Sequence, residues 1–81
     1  MTKLLAHIRA LQKEKVATNY PYVLRVTAEG KTHDIPCDDY YTANLRLRSL
    51  KHLNARGLQL FSLSRDDHDG TVAVREVELK L

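Results

Sequence analysis

The 81-residue sequence has one cysteine, two prolines, three glycines, no tryptophan and a single phenylalanine. With Cys37 as the only thiol an intramolecular disulfide is impossible, and a lone cysteine suits a reducing compartment. So little glycine leaves no phosphate-cradling loop and no nucleophile elbow. The four histidines and the cysteine show no CxxC or HxxxH spacing, so no zinc ligand set is expected. No apolar run approaches the roughly 18 residues that a membrane helix needs. The N-terminal stretch meets charge at Lys3 and again at Arg9, which breaks a signal-peptide core. These absences predict a cytoplasmic protein with no membrane partner.

What is present is ordinary for a folded domain: 43% hydrophobic and 28% charged residues. A chain this short forms one domain, 1–81, and buries only about 60–65% of its unfolded surface, so a partner adds usefully to its stability. The net charge of +3 is unevenly placed. Residues 1–19 carry +3, 20–39 carry −2, 40–56 carry +4 with no acid at all, and 57–81 carry −2.

Leu4, Ile8 and Leu11 recur at helical spacing, widened by Leu5, with Thr2 as N-cap. Arg9 and Lys13 take the far side of this helix, which is expected to end between Ala17 and Asn19 because Pro21 disfavours a helical Tyr20. Tyr22 to Ala28 alternates with Tyr22, Leu24, Val26 and Ala28 on one face, and Glu29-Gly30 predicts a tight turn. The return strand Lys31 to Cys37 contains Pro36, which points to an edge position. Asp38 or Asp39 caps a second helix over Tyr40 to Ala55, with Gly57 as its terminal glycine. Its expected inward stripe is Tyr40, Ala43, Leu47, Leu50 and Leu53. Leu58–Arg65 and Thr71–Leu81 form a second hairpin around Asp66-Asp67-His68-Asp69-Gly70. Its apolar residues are out of phase, which requires either a bulge near Arg75-Glu76 or two partly apolar faces.

The α-β-β-α-β-β order predicts an α+β fold, a four-stranded, mainly antiparallel sheet with two helices packed on one face. The strand order is open, a circular permutation of the ferredoxin-like arrangement being one candidate. The opposite face of such a sheet is bare, and Val23, Leu58, Leu60, Val72 and Val74 are expected there as a dimer or partner interface.

Two surfaces invite a functional reading. Tyr41, Leu45, Arg48, His52 and Arg56 fall at spacings of four, three, four and four along the second helix, beside Lys51. Together with Arg9 and Lys13 they form a candidate contact for a partner or for phosphates, with Tyr41 able to stack on a base. Arg46 and Arg48 point about 160° apart, so they do not share one patch. No helix-turn-helix, RNA-recognition or KH signature accompanies the charge. For catalysis, His33 and Cys37 are the only nucleophile–base pairing, and they lie about 13 Å apart along a strand. The acidic loop lacks the alternating acids and distal glutamate of a calcium loop. The expectation is a small non-catalytic interaction module or inhibitor that binds a protein or a second copy of itself. It needs no cofactor, metal or small-molecule substrate, and it suits a stand-alone accessory factor of a bacterial or phage genome. A nucleic-acid-binding regulator using the basic helices is the alternative.

Overall fold

A computed structural model describes residues 2–16 and 18–79. The elements run α1 (Lys3–Lys13), β1 (Tyr22–Ala28), β2 (Lys31–Cys37), α2 (Tyr40–His52), β3 (Arg56–Arg65) and β4 (Val72–Val77). This is the α+β arrangement expected, with every strand pair antiparallel. The sheet order is β2-β1-β3-β4. A ferredoxin-like sheet permuted to this element order would put β1 and β3 at its edges; here they are the two central strands. The β2–α2–β3 segment crosses over β1, a split βαβ unit.

The Thr2 hydroxyl caps α1, accepting from the Leu5 N–H at 3.2 Å. The helix stops at Lys13, short of the 17–19 boundary expected, and Ala17 itself lies outside the described residues, as do Lys80 and Leu81 of the last expected strand. Glu14 turns to an extended ψ of 144°. That turn brings its carboxylate to Arg46 on α2. Downstream, the β-branched Val16 and Thr18 give little incentive to continue the helix.

Asp39 caps α2, its carboxylate accepting from the Thr42 N–H at 2.6 Å. That bond and one to the Thr42 hydroxyl hold the Asp39 pKa below the ordinary aspartate value. The far end of α2 differs from the sequence expectation. The helix ends at His52, and Asn54, at φ 60°, takes the terminal position expected for Gly57. The Asn54 N–H bonds the Lys51 carbonyl and the Ala55 N–H bonds the Leu50 carbonyl, a Schellman closure. Gly57 instead lies within β3, where the β1–β3 register shifts between Arg25 and Thr27.

The core is built from Ile8 and Leu11 of α1, Leu24 and Val26 of β1, Ile35 and Cys37 of β2, Leu47 and Leu50 of α2, and Leu60 of β3. Both helices lie over this one face and run antiparallel, His7 meeting Ser49 and Glu14 meeting Arg46. Tyr40 is exposed and Leu53 only half-buried, so neither belongs to the α2 core stripe as expected. Arg46 takes a place in it.

Glu29 (φ 52°) and Gly30 (φ 75°) both adopt the left-handed conformation of a two-residue hairpin turn. In the second hairpin the register from Leu60↔Val77 to Arg65↔Val72 is unbroken. No bulge lies near Arg75-Glu76, and the phase of the apolar residues reflects two apolar faces.

Candidate interaction surface

The alternation of the strands turns Val23 and Arg25 of β1, Phe61, Leu63 and Arg65 of β3, and Val72 and Val74 of β4 away from the helices. Three of the five residues expected on this open face are there: Val23, Val72 and Val74. The other two are corrected. Leu60 is buried in the core and Leu58 packs against it, because Leu60 pairs with Leu24 on the helix-covered side. Phe61 and Leu63 occupy the open face in their stead.

The open face has an apolar centre with charged clamps. Tyr20, Val23, Phe61, Leu63 and Val74 line a shallow concavity with Arg25 and Asp34 at its side. The Arg25 guanidinium donates twice to the Asp34 carboxylate, at 2.9 and 3.3 Å, and lies 5.1 Å from the centre of the Phe61 ring. The carboxylate holds the Arg25 pKa above its ordinary value. Arg65 repeats the arrangement, donating to the Tyr20 carbonyl at 2.8 Å with its guanidinium 5.4 Å from that ring. Both aromatic rings are thus covered by a cation. Towards β4 the face opens, with Val74 61% and Val72 49% exposed.

Comparison with known proteins finds no matching family model, curated protein or solved structure.

The basic residues of the helices are distributed around the fold. Tyr41, Leu45, Arg48 and His52 form the exposed outer stripe of α2 as expected, and Lys51 is exposed on its flank. Arg56 does not extend that stripe; it belongs to β3 and pairs with Thr27. On α1, His7 and Glu14 face α2, so Arg9, two residues or about 200° from His7, lies round the far side. Lys13, four residues on and so within about 40° of Arg9, shares that side as expected. Arg46 faces inward, opposite Arg48.

The Cys37 thiol and the acids of the Asp66–Asp69 loop bond within the fold. The Cys37 thiol is buried, bonds the Ile35 carbonyl at 3.5 Å and receives the Arg46 guanidinium at 3.6 Å. Burial pushes its pKa up, and the nearby Arg46 offsets only part of that. His33 is half-buried, and its Nε2 has no hydrogen-bond partner among the described residues. A serine–histidine contact, not anticipated from sequence, joins the helices: His7 Nε2 lies 2.9 Å from Ser49 Oγ. The Ser49 hydroxyl donates to the Arg46 carbonyl at 2.8 Å, so the imidazole is the donor to Ser49. A nucleophilic serine needs the reverse polarity. In the acidic loop, Asp66 accepts from the His68 N–H and Asp69 from the Thr71 N–H and hydroxyl. These bonds to Thr71 lower the Asp69 pKa, and the acids shape the turn. Among the described residues no three His, Cys, Asp or Glu side chains converge as a metal site, and no helix is long and apolar enough to cross a membrane.

Tyr20, Phe61, Leu63, Arg25 and Arg65 had not been singled out as site residues. The opposed phase of Leu60 and Phe61 was visible in the sequence. Which phase faces the helices depends on the β1–β3 pairing, a contact between distant segments.

Proposed function

We propose that this protein is a non-catalytic interaction module whose open sheet face receives a protein partner. One observation carries the reading: with both helices on one side of the sheet, a contiguous apolar strip remains uncovered on the other, flanked by two arginines fixed over aromatic rings. Tyrosine and arginine are enriched in protein-binding hot spots, and Tyr20, Arg25 and Arg65 supply them here beside the aliphatic strip. The Arg25–Asp34 pair contributes little stability at about half exposure. Its effect is to hold the guanidinium in place before a partner arrives, which reduces the ordering cost of binding.

The acid-free 40–56 segment favours the second reading, nucleic-acid binding through Arg48, Lys51 and His52. Against it, Arg9 faces away from these residues, and the two rings of the sheet face are already stacked on guanidinium groups. An amide-shift titration with duplex and single-stranded DNA at about 50 and 200 mM salt separates the readings, because phosphate contacts weaken steeply over that range. The expected outcome is no salt-sensitive shift. Shifts gathering on Arg48, Lys51 and His52, or on Arg25, Phe61 and Arg65, and fading with salt, would replace the protein-binding proposal with the nucleic-acid one.

A further inference from the structure

The sheet has two edges, and the protein treats them differently. At β2 the outward main chain is partly occupied. Pro36 has no N–H, its carbonyl accepts from Arg46 Nη1 at 2.7 Å, and the Asp34 carbonyl accepts from Gln12 Nε2 at 3.1 Å. Proline and side-chain cover are devices that stop an edge strand from pairing with another chain. At β4 there is no proline, no bulge and, among the described residues, no side-chain cap on the outward groups.

The phase of the hairpin identifies those outward groups. The Asp66 N–H donates to the Thr71 carbonyl at 2.9 Å, so antiparallel alternation turns the main chain of Ala73, Arg75 and Val77 towards β3. The Leu63 N–H, bonded to Pro21 on the opposite flank of β3, gives the same phase. Val72, Val74 and Glu76 therefore present their N–H and C=O groups at the free edge.

We infer that this edge pairs with the same edge of a second copy, antiparallel about a two-fold axis at Val74, giving one continuous eight-stranded sheet. The inference goes beyond the module proposed above and leaves its open face free for a protein partner. Its contact is the main chain of β4 rather than the open face. A strand paired with itself about such an axis must match residues of the same face, which leaves few registers. With Val74 opposite Val74, Val72 lies opposite Glu76 and Ala73 opposite Arg75. All three outward residues then pair, forming about six hydrogen bonds, with no like charges directly opposite. A shift of the axis to Arg75 sets two arginines face to face and loses a pair. A shift to Glu76 does the same with two carboxylates, and a shift to Ala73 leaves Glu76 without a partner.

Sedimentation equilibrium of the whole chain, with single-cysteine cross-linking, tests the register. The wild type is expected to reach twice its 9.3 kDa mass as the concentration is raised. Val74→Cys should form a disulfide dimer on mild oxidation, since paired Cα atoms about 5.5 Å apart fall within disulfide range. Glu76→Cys alone should not, whereas a mixture of Val72→Cys and Glu76→Cys chains should. Buried Cys37 stays out of the reaction. Val74→Thr, which trims the apolar face and keeps the main chain, should remain dimeric. A wild type monomeric at millimolar concentration, or Glu76→Cys cross-linking as readily as Val74→Cys, overturns the pairing. Loss of the dimer in Val74→Thr also overturns it and assigns the contact to the open face, whereas a monomeric wild type leaves that face free for a different protein.

Discussion

Arg46→Ala is expected to destabilise the fold by about 3 kcal/mol, lowering Tm by roughly 15 °C for a domain of this size. Arg46 is only 8% exposed, and its guanidinium joins three elements. It donates to the Pro36 carbonyl on β2, reaches the Cys37 thiol, and pairs with Glu14 beyond the end of α1. Burial opposes its charge, but the bonds to Cys37 and Glu14 outweigh that and raise its pKa. Alanine removes these bonds, leaves the Pro36 carbonyl without its donor, and opens a void between the helices and the β2 edge. Arg46→Lys keeps the charge but lacks the planar fork, so it is expected to recover only part of the loss. Glu14→Ala should cost at most about 1 kcal/mol, because that carboxylate is half exposed. Chemical denaturation of the three variants measures the ordering. Equal losses in Arg46→Ala and Glu14→Ala would mean that the ion pair alone accounts for the contribution of Arg46.

Gly57→Ala is the second large effect, also expected at about 3 kcal/mol. Gly57 has a φ of +63°, where a Cβ is strained by about 1–2 kcal/mol. A Cβ here would also fall 2.5 Å from Thr27 Oγ1 and 3.1 Å from Thr27 Cβ, so β1 or β3 must shift. Gly30 and Gly70 share the left-handed conformation but have open space around them. Alanine there should cost only about 1 kcal/mol. A double-mutant cycle with Thr27→Ala isolates the hydroxyl clash, since it removes the 2.5 Å contact and leaves the backbone strain with the 3.1 Å approach to the residue-27 Cβ. If Gly57→Ala is as mild as Gly30→Ala, the close approach at the β1–β3 bulge is wrong.

Much of this fold was legible in the sequence because its signals are local. The alternation from Tyr22 to Ala28, the Glu29-Gly30 turn, Pro36 at an edge and the caps at Thr2 and Asp39 all follow from neighbouring residues. The misreadings involve competition between distant parts. Gly57 looks like a helix terminator until Asn54 closes the helix three residues earlier. Arg46 reads as one more base in a basic helix, although its position three after Ala43 and four before Leu50 already places it on the buried stripe. Leu58 and Leu60 could not be assigned a face until β3 was paired with β1. The open face was anticipated as a consequence of two helices on one side. Its arginine clamps were not, because Arg25 meets Asp34 and Phe61 only through cross-strand pairing, and Arg65 meets Tyr20 across 45 residues.

Site-specific photo-cross-linking tests the central claim most directly, with a photoreactive residue placed in the whole chain at Leu63 on the open face or at Arg48 on the outer stripe of α2. A protein adduct from position 63 and none from position 48 is the predicted result. Adducts from position 48 alone, or no protein adduct from position 63 in cells that make the protein, would contradict the assignment of the open sheet face as the binding surface.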